Sequence, residues 1–236
     1  MPNWITHAII ADKLFQTDLK LDKNAFVIGS VAPDCNIENE DWSAFTPPRE
    51  TTHFMKNNNK ETADFEGFYK KYILSKTSLP EEEKSYFLGY YAHLISDAHF
   101  QAFIREESRV SACFSRLSQY PEIRTKLEGK PMNWDTIKEI FPKQVRYRDI
   151  VDHENEYIIN NPDSCYNTIL LTTDDYYDFT GILPTDGIKR KLPIMAPRDK
   201  TYHLSKSPHL FVTAEEYARY LESTAAFIYS EIKKAR

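Results

Sequence analysis

The chain has 236 residues, 41% hydrophobic and 28% charged, a balance that suits one folded globular domain and speaks against a disordered chain. Its net charge of -5 leaves no electrostatic footprint for wrapping a nucleic acid duplex, only room for a local basic groove. Six glycines with no GxGxxG or GxxxxGKS pattern argue against a phosphate cradle of backbone amides, and three dispersed cysteines (Cys35, Cys113, Cys165) against a zinc knuckle or a disulfide framework.

The N-terminal stretch MPNWITHAIIADKLF lacks a basic leader, and His7, Asp12 and Lys13 break its apolar run, so it does not read as a signal peptide. No segment reaches the roughly 18 to 20 apolar residues of a bilayer span, and a cytoplasmic, reduced protein without stable membrane insertion is expected. Asn3 is placed to cap a helix over Trp4–Phe15, with His7 on its first turns. A second helix in AFVIGSVAPDCN must end before Pro33, which puts Asp34 at the head of a loop. The polar, proline-containing stretch 36–60 reads as a long surface loop carrying Trp42, Phe45, His53 and Phe54. Those aromatics either wall a cleft or pack on the core.

A helix is predicted over Thr62–Ser75, and another opens with Pro80 at its N1 position, with Glu81, Glu82 and Glu83 complementing its dipole, and runs past Arg105. Further helices are expected over Val110–Leu117, Pro121–Leu127, Trp134–Ile140, Lys143–Ile159 and Thr213–Lys234. No period-two strand stands out. Residues 160–208 read as extended loops with at most one short helix, in which Lys189–Pro193 (KRKLP) is most simply a solvated basic turn. The expected fold is all-α, a single mostly helical domain with long loops over residues 1–236.

The segment YFLGYYAHLISDAHF places His93 and Asp97 four residues apart on one face of a helix that is apolar nearly all round. Both side chains are then buried together. A buried carboxylate needs compensation. Either Asp97 and His93 satisfy each other, or a metal ion supplies the charge. Gly89, one turn earlier, leaves room for a backbone or a ligand to approach.

The order W-x-x-H at Trp4–His7, G-S-x-A-P-D at Gly29–Asp34, T-H-F at Thr52–Phe54 and F-L-G-Y-x-x-H-x-x-x-D at Phe87–Asp97 resembles the zinc-dependent phospholipase C family, related in fold to secreted single-strand nucleases. The likeness spans about the first 105 residues, dividing the chain into a metal-site half, 1–107, and a divergent C-terminal half, 108–236. It implies a helical domain holding up to three zinc ions that hydrolyses phosphodiesters. Asp34, His53, His93 and Asp97 would ligate one zinc and His7 another, with Asp97 bridging and Asp34 also accepting a proton from the attacking water. One to two ions are expected, zinc by the resemblance and by the donor types, which also admit manganese, iron or nickel.

The chain departs from the family in three places. Met1-Pro2-Asn3 precede the tryptophan whose free amino group binds metal in secreted members, the proline-histidine element after Asp97 is replaced by Gln101-Ala102-Phe103, and a later His-x-x-x-Glu is missing. His99, about 200 degrees round the helix from Asp97, and His153 with Asp149 in RDIVDHENEY are the nearest substitutes as ligands. The reading is a mono- or dinuclear metal-dependent phosphodiesterase acting on a small phosphoester or a lipid headgroup. The alternative is a catalytically degenerate protein that keeps the fold and binds metal or partners.

Overall fold

In the computed structural model, which describes residues 3–174, 177–198, 201–205 and 207–234, helices dominate and the one sheet is a two-stranded ribbon. This is the all-α fold expected. Met1 and Pro2, ahead of Trp4, lie outside the described residues. Helix α1 (Trp4–Phe15) is followed by α2 (Lys23–Val31), whose N-terminus is capped by Asp22 accepting from the Ala25 amide at 2.9 Å. A single tight turn, Ala32–Asp34, ends α2 where Pro33 forbids further helix.

The loop expected over 36–60 is more ordered than its composition suggests. Strands β1 (Ile37–Glu38) and β2 (Phe45–Thr46) pair antiparallel, and Asn39 closes the turn between them by accepting the Ala44 amide on its side chain and donating its own amide to Ala44. A short helix α3 (Arg49–Thr52) then leads into His53. The helix predicted over Thr62–Ser75 is α4 (Phe65–Tyr69), widening into a π turn over Lys70–Leu74. Next come α5 (Glu81–Arg105), α6 (Glu107–Leu117), α7 (Pro121–Leu127), α8 (Trp134–Ile140) and α9 (Lys143–Asn160). Beyond a π turn at Tyr166–Leu170, α10 (Gly187–Met195) and the terminal α11 (Ala214–Lys234) complete the chain.

Helix α10 corrects the expectation of a solvated basic turn at 189–193. Lys191 is buried there and bonds Glu38 on β1, so the ribbon supplies the carboxylate that a buried ammonium requires.

Helix α5 is buried along most of its length, and α2 lies against it backbone to backbone. The cause is a reciprocal pair of glycines: a Cβ on Gly29 would fall onto the Tyr86 carbonyl, and one on Gly89 onto the Phe26 carbonyl. Any side chain at either position would have to push the helices apart, at a cost of about 1–3 kcal/mol or more. Arg109, fully buried, donates to the carbonyls of Phe103 and Ile104 at the end of α5 and to that of Phe211. It thereby satisfies the Ile104 carbonyl at the helix end and adds a second bond to that of Phe103, which also takes the Glu106 amide at 3.2 Å. Buried apolar residues from Trp4 to Ile232 form one contiguous cluster. No helix among the described residues is long and apolar enough to cross a membrane.

Candidate metal centre

Four segments deliver polar side chains to one buried point. His7 comes from the second turn of α1, Asp34 from the turn that ends α2, His53 from the C-terminus of α3, and His93 and Asp97 from the middle of α5. His7, His53, His93 and Asp97 are all buried, whereas the Asp34 side chain keeps 16% of its surface exposed and forms the open rim. Donor atoms of His7, His93 and Asp97, and those of Asp34, His53 and His93, lie within 4.8 Å of one another.

The direction of each imidazole follows from where its Nδ1 hydrogen goes. His93 Nδ1 stands 2.8 Å from the Ser30 carbonyl, which can only accept, so Nδ1 donates and the Nε2 lone pair is left facing the cluster. The close approach at Gly89 is what brings the Ser30 carbonyl within reach. His53 Nδ1 similarly meets the Arg49 carbonyl at 3.2 Å and Thr52 Oγ1 at 2.9 Å, and Tyr90 Oη fixes this corner by donating to the Thr52 carbonyl. At His7 the partner is Ser96 Oγ, 2.8 Å from Nδ1. Because Ser96 donates its single hydrogen to the His93 carbonyl, it accepts from His7. Each ring thus turns a bare Nε2 inward, the pattern by which hydrogen bonds outside a metal site orient its histidines.

Those lone pairs meet other acceptors. His53 Nε2 lies 3.2 Å from Asp34 Oδ1 and 3.5 Å from Asp97 Oδ2. His93 Nε2 lies 3.3 Å from Asp97 Oδ2 and 3.3 Å from His53 Nε2. Four donors held tetrahedrally at zinc bond lengths of 2.0–2.2 Å would stand about 3.3–3.6 Å apart, so the spacing fits one ion. His7 Nε2 and Asp97 Oδ1, 4.0 Å apart, are both buried without any hydrogen-bond partner. Buried polar atoms are rarely left so. The donor set fits a metal, with one position among Asp34, His53, His93 and Asp97 and a second between His7 and Asp97.

One cation of the chain enters the cluster. Lys60, buried at the end of the loop, bonds Asp97 Oδ2. Burial alone would raise the Asp97 and Asp34 carboxyls, but the Lys60 ammonium outweighs it and holds both well below the usual carboxylate range. Burial lowers His7 far below its ordinary value, helped by His93, and burial with the charge of Lys60 lowers His53 to about 4. His7 and His53 are therefore neutral near pH 7 and available as nitrogen donors. Two carboxylates against one ammonium leave the cluster short of positive charge, a shortage that a divalent ion would make good.

The substitutes considered for the missing family ligands sit elsewhere. His99 Nδ1 faces Thr224 on α11 at 3.4 Å, and its ring lies against Phe227. His153 Nε2 bonds the Val212 carbonyl at 3.0 Å, between His209 and Tyr217. Asp149 accepts the Phe211 and Val212 amides at 2.7 and 3.2 Å. The structure brings together His7, Asp34, His53, His93 and Asp97, and leaves His99, His153 and Asp149 outside. Of the loop aromatics, Phe54 packs on Phe68, Tyr72 and Tyr90, while Trp42 remains exposed.

Sequence reasoning missed Lys60, Ser30 and Ser96. A lysine closing the polar run NNNK carries no signal of burial. Ser96 could have been found, because it lies on α5 next to Asp97 and three residues beyond His93, on the face already singled out.

Residues 1–100 match the family described as zinc dependent phospholipase C. No curated protein and no solved structure matches the chain. The matched stretch contains all five converging residues and ends just beyond Asp97, the last of them, so the family's zinc dependence and the converging donors point to the same place. Over residues 1–100, the chain is similar to the zinc-dependent phospholipase C family.

Proposed function

We propose that the protein is a zinc-dependent hydrolase of phosphoesters whose ion is held by Asp34, His53, His93 and Asp97, with a second place offered by His7 and Asp97. The observation that carries this reading is the set of inward Nε2 lone pairs facing carboxylate oxygens, each fixed by a hydrogen bond at Nδ1. Zinc so bound supplies Lewis acidity toward a phosphoryl oxygen and lowers the pKa of water.

The chain's own residues set the rest. Asp34, the one carboxylate of the cluster open to solvent, is placed to accept the proton of the attacking water at its free oxygen. Lys60 holds Asp97 and adds a fixed positive charge beside the place where phosphate would sit. With a divalent ion bound, the charges of Asp34, Asp97 and Lys60 leave the centre net positive, which favours an anionic substrate. The Ser30, Arg49 and Ser96 oxygens keep the imidazoles aimed and so spare the site reorganisation during the reaction.

The test is hydrolysis of an activated phosphodiester, bis(4-nitrophenyl) phosphate, by protein stripped of metal and then reloaded with zinc. Activity restored by zinc and lost in Asp34→Asn supports the proposal. A fully zinc-loaded protein with no turnover of diesters or monoesters would favour the degenerate relative instead.

A further inference from the structure

Beside the centre lies a cleft of about 540 Å³ whose lining includes Arg49, Lys60, Arg105, Lys138, Lys143 and Arg146. Glu61 is the one carboxylate among its lining residues. The cleft is continuous with the metal centre through shared elements. Arg49 begins the helix whose end carries His53, Gln101 and Ile104 follow Asp97 on α5, and Lys60 both lines the cleft and bonds Asp97. The opposite wall comes from α8 and α9, in the half of the chain that the family match does not cover.

A chain of net charge -5 has gathered these cations in one place, so the patch does not follow from composition. Three of them are neutralised locally: Lys60 by Asp97, Arg105 by Glu61 at 3.2 Å and Lys138 by Asp135 at 2.6 Å. Arg49, Lys143 and Arg146 have no carboxylate within ion-pair distance among the described residues. The Arg49 guanidinium lies 3.9 Å from the centre of the Phe45 ring, Lys143 5.9 Å from that of Tyr147, and Arg146 donates to the Phe141 carbonyl at 2.9 Å. These contacts orient the cations and leave their charge uncompensated. The aromatic faces are occupied as well, Trp134 by Arg109 and Arg146, and Tyr147 by Lys143 and Arg146. A quaternary ammonium headgroup would find no open aromatic face here and would meet like charge.

We propose that this cleft binds a second anionic group of the substrate, so that the preferred substrates are phosphoesters carrying a further phosphate beyond the one attacked. The inference rests on the hydrolase reading of the adjacent centre and assigns its substrate class. Several guanidinium and ammonium groups converging on one concave site suit the bidentate and point-charge recognition of phosphate. The volume is that of a site for a small molecule.

The experiment is calorimetric titration of zinc-loaded protein with two matched pairs: fructose 1,6-bisphosphate against fructose 6-phosphate, and adenosine 3′,5′-bisphosphate against adenosine 5′-monophosphate. Released phosphate is assayed alongside so that hydrolysis is not counted as binding. At least one bisphosphate should bind about tenfold or more tightly than its monophosphate, and which pair does so separates a sugar source from a nucleoside source. In the double variant Lys143→Gln, Arg146→Gln that advantage should vanish while zinc content and monophosphate affinity stay unchanged. Should loss of the Arg146 bond to Phe141 impair folding, Lys143→Gln alone, at the exposed start of α9, should reduce the advantage about threefold.

Bisphosphates that bind no tighter than monophosphates, or an advantage that survives both substitutions, would overturn the proposal. Cleavage of phosphoesters without any bisphosphate preference would overturn it and leave the hydrolase reading standing. A bisphosphate preference in a zinc-loaded protein that cleaves nothing would do the reverse.

Discussion

The molecule uses histidine and aspartate twice, with opposite results. Around His93, each ring spends its Nδ1 hydrogen on an oxygen outside the cluster and points Nε2 at other acceptors, leaving His7 Nε2 and Asp97 Oδ1 without partners. Around His153, the groups four apart on the helix are spent mainly on the backbone, although Asp152 Oδ2, Asn155 Oδ1 and His209 Nε2 nearby are buried without hydrogen-bond partners. His153 bonds the Val212 carbonyl, Asp149 takes the Phe211 and Val212 amides, and Asn155 donates to the His203 carbonyl. The second group ties His203, Phe211 and Val212 down against α9, and the cation that Asp149 takes is the chain's own, the Arg148 guanidinium at 3.0 Å. Residue type and helical spacing are alike in the two regions. The fate of the outer hydrogen bonds distinguishes a ligand set from a clamp.

The comparison breaks most visibly in a substitution that should affect only one region. His53→Ala removes a converging donor, and phosphodiester hydrolysis measured as initial rate should fall by on the order of 100-fold or more. Wild-type rates in that variant would mean that the cluster is not where the chemistry occurs.

Asp149→Ala should do the opposite. It strips the acceptor from two backbone amides beside a buried site, so unfolding free energy from urea titration should drop by about 2–4 kcal/mol with the zinc content unchanged. A variant that loses its zinc while remaining folded would join the two regions.

Acid should also act on the first region. In chelator-treated protein, His53 folds with a value of about 4 against an ordinary 6.5, and His7 is shifted the same way. The unfolded chain then takes up protons that the folded chain refuses, so stability is full above about pH 6.5 and falls as pH drops toward 4. The loss from His53 alone should reach roughly 2 kcal/mol at pH 5. Below pH 4, Asp34 and Asp97, both held low, extend it. Thermal melts across this range should show the slope, and His53→Gln should flatten it; an unchanged slope in that variant would assign the acid sensitivity elsewhere.

The smallest effect is expected from Ser96→Ala, which removes the acceptor that aims His7. Affinity for a second zinc ion should weaken about tenfold, with the first ion retained at unchanged affinity. Equal weakening of both would show that Ser96 supports the whole of α5 rather than one ring.

Much of this was legible in the chain because it depends on local periodicity. His93 and Asp97 share a helix face by spacing alone, Pro33 forces the turn that presents Asp34, and the terminal helix α11 follows its apolar stripe. What stayed hidden depends on distant partners. Lys60 and Lys191 read as solvated because nothing near them in sequence announces Asp97 or Glu38. The ribbon at 37–46 is too short for an alternating pattern to register. The basic cleft joins Arg49 on α3 to Lys143 and Arg146 on α9, residues that each look like part of an ordinary charged helix face until the fold sets them side by side. His153 was ambiguous for a related reason, since the carbonyl that occupies it lies 59 residues away.

The most direct test of the central claim is metal content per chain, by elemental mass spectrometry, for wild type, His93→Ala and His153→Ala purified without chelator and dialysed against trace zinc. The account predicts about one to two zinc ions in the wild type and in His153→Ala, and their loss in His93→Ala. A wild type that holds no zinc after dialysis, or a His93→Ala variant that keeps it, would contradict the assignment of this cluster as a metal centre.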